Sequence, residues 1–189
     1  MRDRDIRAEL RRFLEQEYTD DALILDELGL CQGEARVDMV VINGALNGYE
    51  IKSERDTLQR LEGQIRVYGR TLDSMTIVVG PSHLDEVMRR VPDWWGVMVA
   101  SPSQCGLTLN DVRPSKPNPA LDPYSFAQLL WRDEAWDLLV EHGLQQGLSS
   151  RPRPYLWRKL ADSLSWDELS AAVRHKLAVR DGWRSASES

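Results

Sequence analysis

Residues 37–52 read VDMVVINGALNGYEIK, and they decide the fold. Val37 to Ile42 is rich in β-branched residues, so it reads as a strand. Asn43, Gly44, Asn47 and Gly48 are turn formers. Tyr49 to Ser53 reads as a second strand. A three-residue loop Asn43-Gly44-Ala45, with glycine in the left-handed position, is a recognised hairpin connection. It places Ile42 opposite Leu46 and Asp38 opposite Glu50. A two-residue loop would slip the register by one and send Asp38 to the other face. Side chains alternate along a strand, so Glu50 and Lys52 share a face and Ile51 points into the other layer.

Working outward, residues 2–18 form an amphipathic helix, with Ile6, Leu10, Phe13 and Leu14 at helical spacing. Residues 22–27 (ALILDE) are an apolar run that suits a strand or a continued helix. Asp56 to Leu72 reads as helical. Met75 to Val79 (MTIVV) and Gly96 to Ala100 (GVMVA) read as buried strands, the first stopped by Gly80-Pro81. A short helix over Ser82–Arg90 lies between them, with Ser82 as its N-cap. The order predicts an α/β layer structure with a hairpin inside a mixed sheet. Residues 113–123 carry four prolines and read as a linker. Helices follow at about 125–143, 154–163 and 166–181. The expected division is a core at 1–112, a linker at 113–124 and a helical region at 125–189.

The 189 residues suffice for a core without staples. Cys31 and Cys105 lie in no CxxC or Cys/His pattern, which argues against a disulfide framework or structural zinc. His83, His142 and His175 show no metal-ligand spacing. No G-x-S-x-G and no glycine-rich phosphate loop occurs. The N-terminal segment lacks the apolar run of a signal peptide, and no stretch reaches membrane-spanning length, so a cytoplasmic protein is expected. Net charge is −6. Residues 150–189 hold eight Lys and Arg against five acids, including Asp181, Arg184 and Glu188, so this tail carries +3 and the remainder −9. A basic tail on an acidic body could meet a polyanion on one side only. A solvated helical surface is the plainer reading.

An isolated E-x-K is usually a surface ion pair. With Asp38 opposite, two carboxylates and a lysine share a site. Facing carboxylates repel unless a cation lies between them. Mg²⁺ prefers one or two carboxylates, water and phosphate oxygens. It would activate a water, with Lys52 orienting that water or neutralising developing charge.

The pattern Asp38–x11–Glu50–x–Lys52 resembles the PD-(D/E)XK nuclease superfamily. Gln64-Ile-Arg-Val-Tyr68 is similar to the Q-x-x-x-Y motif of its RecB-like branch. The resemblance implies a restriction-endonuclease-like αβββαβ core with a mixed sheet and a helical C-terminal extension. It implies a Mg²⁺-dependent deoxyribonuclease, Mn²⁺ substituting, with Asp38, Glu50 and Lys52 catalytic. Asp38, Glu50 and the Ile51 carbonyl would hold the metal. Gln64 and Tyr68, four apart on one helix face, would contact DNA. The residue before Asp38 is Val37, not proline. The superfamily's acid on the first helix matches either Glu9 or Glu15, Glu9 being preferred, and Glu34 is a third candidate for the metal. A catalytically silent module of that fold, binding nucleic acid or a protein partner, is the alternative; no protein partner is indicated.

Trp131, Trp136, Trp157, Trp166 and Trp183 crowd the C-terminal third and suit the core of a helical subdomain better than a base-stacking platform. Residues 136–164 are similar in outline to SAP-type helix-extended-helix DNA-binding modules. On that reading Arg151, Arg153, Arg158 and Lys159 are candidate phosphate contacts. A helical cap on the sheet is the other reading.

Overall fold

The computed structural model describes residues 2–19, 22–104 and 106–180. Cys105, Asp181, Trp183, Arg184 and Glu188 lie outside the described residues.

Six strands form one mixed sheet in sequential order. They are β1 (Leu23–Leu30), β2 (Ala35–Ile42), β3 (Leu46–Lys52), β4 (Ser74–Val79), β5 (Gly96–Ser103) and β6 (Gly106–Arg113). β1, β2 and β3 run antiparallel, β3–β4–β5 parallel, and β6 returns antiparallel to β5. The hairpin has the expected register: Ile42 faces Leu46, Met39 faces Tyr49, and Gly44 takes φ +91°. Antiparallel neighbours need only a tight loop, whereas parallel ones need crossovers. Helices α2 (Leu61–Thr71) and α3 (Leu84–Arg90) supply the two crossovers. Both crossovers take the same hand, so both helices cover the same face. The ladder from β3 to β5 is buried on both sides, which explains the unbroken apolar run of β4.

Helix α1 (Asp3–Glu17) covers the opposite face. Its Ile6, Leu10 and Leu14 are fully buried against Met39, Val41, Tyr49, Ile51, Val78 and Met98. The other face packs α2 and α3 together with α4 (Pro123–Ala127), α5 (Arg132–Glu141), α6 (Arg153–Ser163) and α7 (Trp166–Val179). Phe126, Leu156, Leu160, Leu169 and Val173 join one continuous core with Val40, Ile42, Leu46 and Tyr68.

Three local differences from the sequence reading have simple causes. Helix α2 begins at Leu61, not Asp56, because the Asp56 carboxylate is engaged backwards. It accepts from the Ser53 N–H at 2.7 Å and the Ser53 hydroxyl at 2.6 Å, which holds residues 53–56 as a turn. Ser82 caps nothing; it sits inside a one-turn 3-10 helix, Pro81–His83, ahead of α3. Strand β6 was not anticipated.

The proline-bearing segment 114–122 is tied down along its length. Lys116 N–H donates to the Trp94 carbonyl at 2.8 Å, and Asn118 N–H to that of Asp73 at 2.8 Å. The Asn118 side-chain amide donates to the carbonyls of Gly69 and Leu72, at 2.9 and 2.7 Å. Asp122 N–H donates to the Arg70 carbonyl at 3.0 Å. Glycine at 96 permits this: a Cβ there would sit 2.7 Å from Thr76 Oγ1 and 2.9 Å from the Ser115 backbone nitrogen.

Candidate functional site

Continuing the β2–β3 ladder by one pair puts Asp38 at the level of Glu50, with Lys52 on the same face. Glu50 is 2% exposed and Lys52 5%. The Lys52 ammonium donates to Glu50 Oε1 at 2.5 Å. Gln64 Nε2 donates to the same oxygen, and the Tyr68 hydroxyl donates to Glu50 Oε2 at 2.7 Å. Gln64 and Tyr68 come together as one face of α2 should. Gln64 Oε1 is buried without a partner.

Asp38 lines the same cavity but has different donors. Its Oδ2 accepts from the Ile51 N–H at 2.7 Å and its Oδ1 from Arg7 of α1 at 2.8 Å. Arg7 also donates to the Asp38 carbonyl at 3.0 Å and pairs with Glu27 at 3.1 Å. Glu27 lies on β1 at the level of Asp38 and takes φ +58°, a left-handed conformation for a side-chain-bearing residue. Its carboxylate is held by Arg36 at 2.6 Å. Burial raises the Glu50 carboxyl above the usual range; the Asp38 charge adds to this, and Lys52 opposes it. Burial, and then the Glu50 charge, push the Tyr68 hydroxyl well up.

These groups open onto a cavity of about 560 Å³. Seven acids and four basic side chains line it. Asp3, Glu27, Arg36, Asp56, Arg60 and Arg66 belong to this lining and escaped the sequence reading. Arg7, the direct partner of Asp38, also escaped. Which α1 residue meets β2 depends on how the helix docks, and no local spacing encodes that. Glu34 reaches the rim, where Arg70 holds it at 2.6 Å. Glu9 does not reach the cavity; it pairs with Arg12 on its own helix at 2.6 Å.

At Asp38 and Glu50, Mg²⁺ or Mn²⁺ would have to share carboxylate oxygens that already accept protein donors. Among the described residues, no three His, Cys, Asp or Glu side chains group so as to hold an ion. Arg7 and Lys52 supply the positive charge that two neighbouring carboxylates require.

The four C-terminal cations are separate from this site and all exposed. Arg151 lies over the Tyr155 ring, 5.1 Å from its centre. Arg153 lies over Trp157 at 5.4 Å and Arg158 over Tyr124 at 3.8 Å. Trp157 is core, its indole N–H donating to the Leu130 carbonyl at 3.1 Å. No helix among the described residues is long and apolar enough to cross a membrane.

Fold and site together define a mixed α/β protein with an acid–cation network inside one end of its sheet. The chain belongs to the bacteriophage P4 protein cII family, whose model matches residues 1–187. It is similar to Protein cII of Enterobacteria phage P4, 27% identical over 145 residues, which cover 76% of this chain and 55% of that relative. The chain therefore spans about half the length of the curated relative it matches. No solved structure matches it.

Family membership overturns the resemblance to PD-(D/E)XK nucleases, and with it the Mg²⁺-dependent deoxyribonuclease. The match spans nearly the whole chain, whereas D-x11-E-x-K and Q-x-x-x-Y are short patterns that arise by chance. The structure supplies a physical reason for their co-occurrence here. Lys52, Gln64 and Tyr68 all donate to the Glu50 carboxylate inside the protein, as a buried charge requires. A net-acidic cavity also repels phosphate.

Proposed function

We propose that the chain is a non-enzymatic nucleic-acid-binding protein that meets its partner through the outer face of α6 and the segment leading into it. The carrying observation is the set Arg151, Arg153, Arg158 and Lys159: four exposed cations within nine residues, none ion-paired among the described residues. Many of the other arginines are neutralised by neighbouring acids, as Arg7, Arg36, Arg70, Arg174 and Arg180 are. All three guanidinium groups of the set rest on aromatic rings. That fixes their position and leaves their N–H edges for phosphate oxygens. The acidic body then holds the polyanion to this side.

The test is fluorescence anisotropy of the full chain with labelled DNA across a salt series. Binding should weaken steeply with salt. Replacing Arg153 and Arg158 together by alanine should lower the log–log slope by about 1–2, since each phosphate contact contributes roughly 0.7–0.9. Salt-independent binding, or none at low salt, defeats the proposal.

A further inference from the structure

We infer that this surface takes single-stranded nucleic acid, with an unpaired base lying on Tyr155. The inference rests on the nucleic-acid reading above and adds the form of the strand. Tyr155 is 54% exposed, the most exposed aromatic residue among those described. Leu156 and Trp157, the next two residues, are buried, so Tyr155 stands on the outer face of α6. Its surroundings are cationic. The Arg151 guanidinium is 5.1 Å from the ring centre. Arg158 and Lys159 follow three and four residues on and so share its helix face.

Duplex DNA presents phosphates to a convex helix and keeps its bases stacked inside, so an exposed ring gains nothing from it. A single strand offers both phosphates and free base faces. Alternating cations and a ring match that polymer, and the match tolerates any sequence because every base has a π-face. Arg158, lying 3.8 Å from the Tyr124 ring centre, adds a second flat surface one turn further along.

The experiment uses the full chain with oligo(dT), oligo(rU) and a DNA duplex of equal length, at one fixed salt concentration. Wild type should prefer a single strand. Tyr155→Ala should weaken single-strand binding roughly 5- to 150-fold, and duplex binding much less, by the loosening of Arg151 alone. Tyr155→Phe should retain wild-type affinity, because stacking needs the ring and not the hydroxyl. The oligo(dT) and oligo(rU) arms show which sugar is accepted, and this pattern with either one upholds the inference. Salt-sensitive binding that Tyr155→Ala leaves untouched, or weakens equally for duplex and single strand, overturns the inference and spares the nucleic-acid reading. If no probe binds, both fall together.

Discussion

Glu50 is a carboxylate with almost no water and three donors, from Lys52, Gln64 and Tyr68. Its proton affinity in the folded protein exceeds the ordinary one because burial disfavours the charged form and Asp38 adds its own negative charge. Protonation of Glu50 therefore favours the folded state. That contribution is complete below the ordinary value of 4.5 and is lost as pH rises through the higher folded value. The expected outcome concerns the difference in urea midpoint between wild type and Glu50→Gln. It should shift in favour of wild type as pH falls from neutral toward 4.5. A difference that stays constant over that range would show that Glu50 does not carry this linkage. The residues of this network were legible, because strand alternation and helix spacing fix Glu50, Lys52, Gln64 and Tyr68 locally. Arg7 was not, since its 31-residue separation from Asp38 is closed only by packing.

Among the elements, the start of β5 shows how one missing side chain decides a path. Segment 114–122 can cross Gly96 only because nothing projects there. Gly96→Ala should push the backbone at Ser115 away and weaken its neighbouring hydrogen bonds. The expected cost is about 1–3 kcal/mol, read from chemical denaturation. A variant as stable as wild type would mean that the segment moves aside freely. Elements with a strong single period were readable: α1 from its apolar stripe, β4 from its unbroken run, the hairpin from Gly44. β6 was missed although Leu107 and Leu109 alternate with Thr108 and Asn110, because the prolines just beyond it suggested a linker. Those two leucines pack towards α1, a contact visible only once the sheet is assembled. The start of α2 was misplaced because Asp56 has two uses, and a helical pattern does not reveal which one prevails.

At the scale of the whole molecule, the C-terminal helices and the sheet share one apolar core on the α2 side. A chain ending at residue 112 would expose Val40, Ile42, Leu46 and Tyr68 to water, each a substantial loss of burial. Such a truncation should associate or unfold, as seen by size exclusion and near-ultraviolet circular dichroism. A monomeric, cooperatively folding 1–112 fragment would overturn this expectation. The division into layers was legible from the order of elements. The shared core was not, because periodicity shows that a helix has an apolar face and not which surface that face meets.

The tethering of segment 114–122 has a mechanical consequence. Four of its hydrogen bonds converge on residues 69–73, at the end of α2, and Arg174 of α7 grips Asp73 there as well, at 2.5 Å. Asp73 in turn accepts from the Leu46 N–H at 2.7 Å, at the mouth of the hairpin. Asp73 is thus the joint that fastens the hairpin and α7 to the end of α2, so that loss of this one carboxylate would unfasten three elements at once.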